Sequence, residues 1–539
     1  MSYNALSNPL LYPSQLKYRL GLVKKRMVSY PVDSMNFTMM DLERPFLRTR
    51  HADFCTTDLT GRLLQFYSCA EGVDGEHIEP LTELYERIMN NRKSSGGFSN
   101  FYGRTPSYNP DSVGIGGHFL SGLVKYYELT GDMRSLNAAI EAADAAGTSL
   151  YSPEGLADLY IVTRDKKYIE KIREIAKTMR TASGAHSHSY LTALRGILKA
   201  GIASGDEELL TIARERRQEI LDCDYILPNG DVPEGFPMDM RNEGCSIADW
   251  IMLNLIWAHY SGDTSAYELA EHSLWNALYF NQFVTGGFGH RFFLPHGYRT
   301  YIEEAWWCCT TTAGMCMAEV ARHTATIRNG KPCLNFFVPG KYTLKTETCG
   351  EITVSVTTSY PTKARTIIKV VGTKEDIDIR IPDFIKGLEV RREEDDLGYT
   401  VYIDGRLGHY TEVRKKRRIV KYGPLVIAPM VYYWNMDELN EVKNDVPEGY
   451  QHENVGAKKC ILDFPEPDAD GFYNFSGVAK PEWIVFEEGE MSGIGGGEVA
   501  AVNVPVILPH GEKSELYFQP LCSATSNLTL MDIISDFDL

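Results

Sequence analysis

The apolar positions of this chain follow two different periods. Over residues 1–330 they recur at helical spacing, broken by the polar turns Thr130-Gly131-Asp132, Thr163-Arg164-Asp165, Ser204-Gly205-Asp206 and Ser261-Gly262-Asp263. Gly ends an incoming helix in a left-handed cap, and Asp caps the outgoing one by accepting from a free backbone N–H. The unit is a helical hairpin repeated with insertions of unequal length. Ile247, Trp250, Ile251, Leu253, Leu255, Ile256 and Trp257 leave almost no polar face, the mark of a helix buried on both sides. Ile169, Ile172 and Ile175 form a single stripe on an otherwise charged segment, the mark of an outer helix. Alternating inner and outer helices predict a closed ring, an (α/α)6 toroid, although an open superhelix would show the same local pattern.

Past Asn329-Gly330-Lys331-Pro332 the period becomes two. Ile352, Val354 and Val356 alternate with Thr353 and Ser355, and Ile377, Ile379 and Ile381 alternate with Asp378 and Arg380. Asp404-Gly405 reads as a tight turn. The expected fold class is mainly α with β: a toroidal catalytic domain over 1–330, then an antiparallel β-sandwich region over 331–539, in two parts divided near Pro447. The basic run Arg414-Lys415-Lys416-Arg417-Arg418 reads as a solvated strand edge in preference to a targeting or RNA-binding signal.

Composition narrows the function. With 55 Lys+Arg against 72 Asp+Glu, the net charge of −17 gives no field for nucleic acid or an anionic membrane, so the expected partner is a small or neutral molecule. No stretch approaches the about 20 apolar residues of a membrane span. The count of 11 cysteines is odd, and the N-terminal sequence lacks the order of a secretory signal, so a reducing, cytoplasmic setting is expected. There, clustered cysteines serve as ligands or nucleophiles more often than as disulfides.

Glu243-Gly244-Cys245 and Trp306-Trp307-Cys308-Cys309-Thr310-Thr311-Thr312 are the sharpest constellation. Three thiolates and one carboxylate would complete a tetrahedral zinc shell; the bland alternative is three unconnected buried cysteines. The Thr run is expected to cap the following helix and so to set both thiols at its N-terminus. Glu234, between Pro233 and Gly235-Phe236, is the candidate general acid, its pKa raised by apolar neighbours, with Asp239, Glu303 and Glu304 as rivals. His118, His186 and His188 fall where hairpins would open into the ring, as sugar contacts or as capping or core histidines. Tyr298, Tyr301, Trp306 and Trp307 crowd the Cys-Cys pair and could stack on a sugar or simply pack.

Glu-x-Cys followed by Trp-x-Cys-Cys at the opening of a helix resembles glycoside hydrolase family 127, the β-L-arabinofuranosidases, and Tyr422-Gly423-Pro424-Leu425-Val426 is similar to a phrase of that family. The resemblance implies that Glu243, Cys245, Cys308 and Cys309 hold Zn2+, that Cys308 is the nucleophile and that Glu234 is the general acid/base, on a shorter interval from Glu243 than the family leads one to expect. It further implies that His118 and one of His186 or His188 contact sugar; Tyr301 and Trp306, by their place near the Cys-Cys pair, are further candidates for substrate contact. The implied activity is retaining, exo-acting hydrolysis that releases β-L-arabinofuranose or a related pentose-type sugar from a small oligosaccharide or glycoside. The competing readings are a carboxylate-based glycosidase or lyase with purely structural zinc, and a non-catalytic carbohydrate-binding protein. A homodimer through the strand-rich region is a further expectation.

Overall fold

Each polar turn reverses the chain as its residues require. Gly131, Gly205 and Gly262 take φ of 74°, 70° and 78°, and at the remaining turn Arg164 adopts φ 59° in place of glycine. Asp165, Asp206 and Asp263 then cap the next helix by accepting from Lys167 N, Glu208 N and Ser265 N. The computed structural model describes residues 6–28, 34–43, 57–92, 98, 117–145, 152–237, 241–283, 285–294, 297–346, 350–414, 417–432, 461–475, 502–507, 511–523 and 529–531.

The helices are α1 (Gln15–Val28), α2 (Ser34–Glu43), α3 (Asp58–Ala70), α4 (Leu81–Asn90), α5 (Gly117–Thr130), α6 (Met133–Ala145), α7 (Pro153–Thr163), α8 (Lys166–Thr178), α9 (Ser187–Ser204), α10 (Glu207–Asp222), α11 (Gly244–Ser261), α12 (Thr264–Ser273), α13 (Tyr279–Asn281) and α14 (Thr311–Thr324). Helix α3 packs on α5, α5 on α7, α7 on α9, α9 on α11, α11 on α14, and α14 back on α3. That cycle closes. The run Gly244 to Ile256 of α11 is buried throughout, whereas α8 buries only Tyr168, Ile169, Ile172, Ile175 and Ala176, so inner and outer helices differ as their sequences require. The inner helices approach closely where they carry glycine: a Cβ on Gly196 of α9 would meet the backbone of Pro153 and Glu154 in α7, and one on Gly61 of α3 the backbone of Phe119 in α5.

Strands pair across the expected division at residue 330 in three places among the described residues, one of them the hairpin Ala325–Arg328/Lys331–Leu334. Asn8–Leu11 pairs with Gly340–Thr346, at the edge of an antiparallel sheet that continues through Gly350–Thr358, Thr366–Val371, Gly398–Arg406 and Lys386–Glu394. The hairpin Gly289–Leu294/Gly297–Glu304, within the otherwise helical part, joins Thr529–Met531 and through it Leu425–Tyr432. Asn8–Leu11 pairs with a strand from beyond residue 330, and the Gly289–Leu294/Gly297–Glu304 hairpin, paired within itself, is extended by Thr529–Met531, so the regions share sheets. Asp404-Gly405 is not a turn. The strand runs through it to Arg406, and Gly405 admits Ile385 at a register shift, while the chain reverses where Asp395 accepts from Leu397 N and Gly398 N. Of the basic run, Arg414 ends one strand of a hairpin, His409–Arg414, whose one strand partner among the described residues is Arg417–Tyr422, and stands opposite Arg417; Lys415 and Lys416 lie outside the described residues. Pro447 lies outside the described residues.

Replacing Gly196 by Ala is expected to cost about 1–3 kcal/mol by overpacking the α7–α9 crossing, read as a lowered Tm with the same circular dichroism spectrum. An unchanged Tm would show that this approach is not tight.

Candidate functional site

Because the ring helices run side by side, their N-terminal turns meet at one end. The site there is built on α9 and α11, on the loop between Pro233 and Glu243, and on the segment leading into α14. Glu243 occupies the N-cap position of α11 in extended backbone, without a capping bond from its side chain, and Cys245 follows in the first turn. Cys308 and Cys309 lie in a widened π turn, Trp306–Thr310, that runs into α14. There Cys308 N and Cys309 N both donate to Ala305 O, at 3.2 and 2.9 Å. The threonines do not cap as expected. Thr311 Oγ1 and Thr312 Oγ1 donate back to Cys308 O at 2.8 and 3.0 Å, and Thr310 Oγ1 accepts from Phe288 N at 2.9 Å.

The donor atoms of Glu243, Cys245, Cys308 and Cys309, all four buried, lie within 4.8 Å of one another. Cys245 Sγ is 3.5 Å and Cys308 Sγ 3.7 Å from Cys309 Sγ. Sulfurs bound to one tetrahedral zinc at about 2.3 Å would stand about 3.8 Å apart, close to the two sulfur separations here, so the chemistry and spacing of the set suit such an ion. Burial pushes Cys245 and Cys309 well above the ordinary cysteine range; the other two thiols add to this for Cys245, whereas for Cys309 the hydrogen bond from Cys245 opposes it. Such thiols stay protonated unless a cation sits among them. Arg62 lies close by. Burial opposes its charge, but Asp58 outweighs that and Cys245 and Cys308 add to it, so its pKa is raised.

Glu234 is approached from three sides. Arg241 clamps it by two bonds, Nε to Oε2 and NH2 to Oε1, the second at 2.9 Å. His186 Nε2 stands 3.9 Å from Glu234 Oε1 and 3.5 Å from Glu243 Oε2, which sets the two carboxylates on either side of one imidazole. His290 Nδ1 is 3.9 Å from Glu234 Oε2. The surroundings are therefore an ion pair rather than the apolar pocket expected from Pro233 and Phe236, because Phe236 turns away to stack on Tyr225. The loop itself is held by Ser187, whose Oγ bonds Glu234 O at 2.8 Å and Ser246 Oγ at 2.7 Å, while Ser246 Oγ donates to Glu243 Oε2 at 3.0 Å. One hydroxyl pair thus ties the positions of both glutamates together.

The histidines separate clearly. His186, with its side chain 45% exposed, caps α9 and turns its Nε2 to the two carboxylates. His188 is buried with both nitrogens engaged: Arg62 NH2 donates to Nε2 at 2.8 Å, so Nδ1 carries the proton and donates to Asp249 Oδ2. His118 donates Nδ1 to Gln65 Oε1 at 2.8 Å and stacks on His188, its Nε2 buried without a partner among the described residues. Burial, then Arg62, push His118 down to about 3. Trp306 packs edge-on against Phe37 and Trp307. Glu304 pairs with Arg26 at 2.6 Å, away from the cluster's partners. Asp239 and the side chains of Tyr298, Tyr301 and Glu303 lie outside the described residues.

Sequence reading missed Arg62, Asp249, Arg195, Arg241 and His290. Beneath the cluster, Asp249 bridges His188 to Arg195 NH1 at 2.5 Å, and Arg195 bonds both oxygens of Glu154 at 2.8 and 2.5 Å. Burial raises Asp249, but His188 and Arg195 outweigh it and leave the carboxyl below its ordinary range. Charged residues within otherwise apolar inner helices were the available signal.

No family model and no curated protein matches the chain. Among solved structures, a β-arabinofuranosidase of glycoside hydrolase family 127 superposes with TM-score 0.69 at 14% identity over 98% of this chain and 97% of its own. A family-127 β-L-arabinofuranosidase from Geobacillus stearothermophilus T6 gives 0.68 at 13% over 98% and 99%. A further glycoside hydrolase gives 0.66 at 13% over 99% and 98%. The chain has the overall fold of these proteins from end to end, which is the fold that its Glu-x-Cys and Cys-Cys motifs resemble.

Two measurements follow from the geometry. Metal analysis of protein purified under reducing conditions is expected to find about one zinc per chain, falling well below that in Cys245→Ser and Cys309→Ser; full occupancy in both variants would remove these residues from the ligand set. The pH profile is the second. His118 titrates at about 3 in the folded chain, below an ordinary histidine, and burial lowers His259 to about 4. The unfolded chain therefore binds more protons below pH ~6.5, and stability falls as pH drops from there toward the folded values. Chemical denaturation at pH 7 and 5 is expected to show that loss, and His118→Gln to reduce it.

Proposed function

We propose that the helical ring is an (α/α)6 toroid bearing the active site, that residues 331–539 form the sandwich region, and that the chain is a retaining, exo-acting glycoside hydrolase. Its proposed product is terminal β-L-arabinofuranose or a related pentose-type sugar, released from a small oligosaccharide or glycoside. What carries this reading is the convergence of one carboxylate and three thiols from two separate helix starts, with a second glutamate, Glu234, across His186 from the first. The full-length likeness in fold to family-127 enzymes supports it. A reducing, cytoplasmic setting suits a site made of thiols, and a homodimer through the β-rich region is the proposed assembly.

Glu243, Cys245, Cys308 and Cys309 would hold the metal. Zinc, when bound, keeps its ligand sulfurs as thiolates at neutral pH. Cys308 Sγ then attacks the anomeric carbon while a carboxyl proton on Glu234 passes to the departing oxygen. The bond to the leaving group breaks, and a thioglycosyl intermediate forms on Cys308. The Glu234 carboxylate next takes a proton from water, whose oxygen displaces the sulfur. Two displacements return the original anomeric configuration. Since Arg241 holds both oxygens of Glu234 in the resting chain, an entering glycoside has to displace the guanidinium to reach this carboxyl. His186, between the two glutamates, is positioned to bond a sugar hydroxyl, a role His188 cannot share while Arg62 and Asp249 hold both its nitrogens.

The test is turnover of aryl β-L-arabinofuranosides with zinc measured alongside. Cys308→Ser is expected to lose about a thousandfold or more in kcat. Glu234→Gln is expected to lose about a hundredfold or more on poor leaving groups and less on activated aryl ones. Retained turnover in Cys308→Ser would favour carboxylate chemistry over a structural metal. Absence of hydrolysis of any glycoside by the wild-type chain would leave sugar binding without catalysis.

A further inference from the structure

The ring holds a second chamber at its other end. A cavity of about 510 Å³ opens among the C-terminal halves of α3, α5, α9, α11 and α14, within the size range of small-ligand sites. At 1.5 Å of rise per residue, Glu319 on its wall lies about 15 Å along the helix from Cys309. The floor between chamber and cluster is Glu154, Arg195 and Lys199, which form ion pairs with one another and with Asp158 and Asp249. The chamber is therefore separate from the site already described.

Its walls are short of hydrogen bonds. Ser68 Oγ is buried with no partner among the described residues, and Ser68 is 4% exposed. Arg322 donates NH2 to Cys69 O at 2.5 Å but leaves NH1 without a hydrogen bond. Glu319 has Arg322 NH1 at 3.5 Å and His323 Nδ1 at 3.7 Å, distances of loose ion pairs. Lys125 meets Glu128 at 2.7 Å. Formal charges thus pair off, Lys125 with Glu128 and Arg322 with Glu319, so the chamber offers no net field to a single ion. Its lining combines the polar Ser68, Arg322 and Glu319 with the apolar Met252, Ile256 and Met315. A hydroxylated molecule both donates and accepts at each oxygen and presents C–H faces to such a wall.

We propose that this chamber is a second binding site, for a neutral polyol or monosaccharide-sized molecule held by Ser68, Glu319, Arg322 and Lys125. Nothing in it depends on the chemistry at Cys308. Xylitol is the probe, titrated calorimetrically into the full-length protein, with glycine betaine and sodium phosphate as comparison ligands. Xylitol is expected to bind, and Ser68→Ala and Glu319→Gln each to weaken it by about tenfold, the loss of one hydrogen bond, while both leave glycoside turnover unchanged. As a second measurement on the unmutated chain, xylitol is expected to slow modification of Cys69, on the chamber wall, by a small thiosulfonate. No binding, affinity equal to wild type in both variants, or tighter binding of betaine or phosphate overturns the proposal. If either variant fails to fold, unslowed Cys69 modification overturns it.

Discussion

The buried ion relay along the ring axis is the constraint on which the rest of the structure depends. Glu154, Arg195, Asp249, His188, Arg62 and Asp58 follow one another by hydrogen bond, and all are nearly inaccessible to water. Each charge taken singly would be expensive to bury, and each is tolerable only because its neighbours are held at bonding distance by four different helices, α3, α7, α9 and α11. The ring must therefore close on this spacing. A slip of one helix would strand a buried charge at several kcal/mol, far more than a comparable slip in an apolar core.

That rigidity serves the end of the ring where the thiols gather. Donors able to share one metal ion must stand within tenths of an ångström of their places, yet of the four gathered here two come from the start of α11 and two from the turn before α14. Arg62 joins relay to cluster: it bonds His188 and Thr312, and Thr312 bonds the carbonyl of Cys308. Ser187 and Ser246 do the same on the other flank, linking the Glu234 loop to Glu243. Cys308, Glu243 and Glu234 are thus fixed relative to one another by the hydrogen bonds of neighbouring side chains.

Much of this was legible in the sequence wherever the signal is local. The Gly-Asp turns announced the hairpins, the all-round apolar run of α11 its burial, and Glu243, Cys245, Cys308 and Cys309 a possible ligand set. Three things were hidden. Asp404-Gly405 has the composition of a turn but lies in a strand, because a neighbouring strand needs close approach there. Glu234 looked desolvated from its flanking Pro and Phe, yet Arg241, brought back by the loop, makes its environment ionic. His186 and His188 were indistinguishable by spacing; helix geometry sends one to the cap and the other inward to Asp249.

The sequence by itself determined the period of each segment, the caps that end the helices and the residue types able to bind a soft metal, since these depend on neighbours within a turn or two of chain. Tertiary structure alone decided which charges face one another, that the ring closes through α14 onto α3, that early and late strands share sheets, and that a second polar chamber exists below the first. Those are pairings between residues far apart in the chain, and no local periodicity encodes the distance between them.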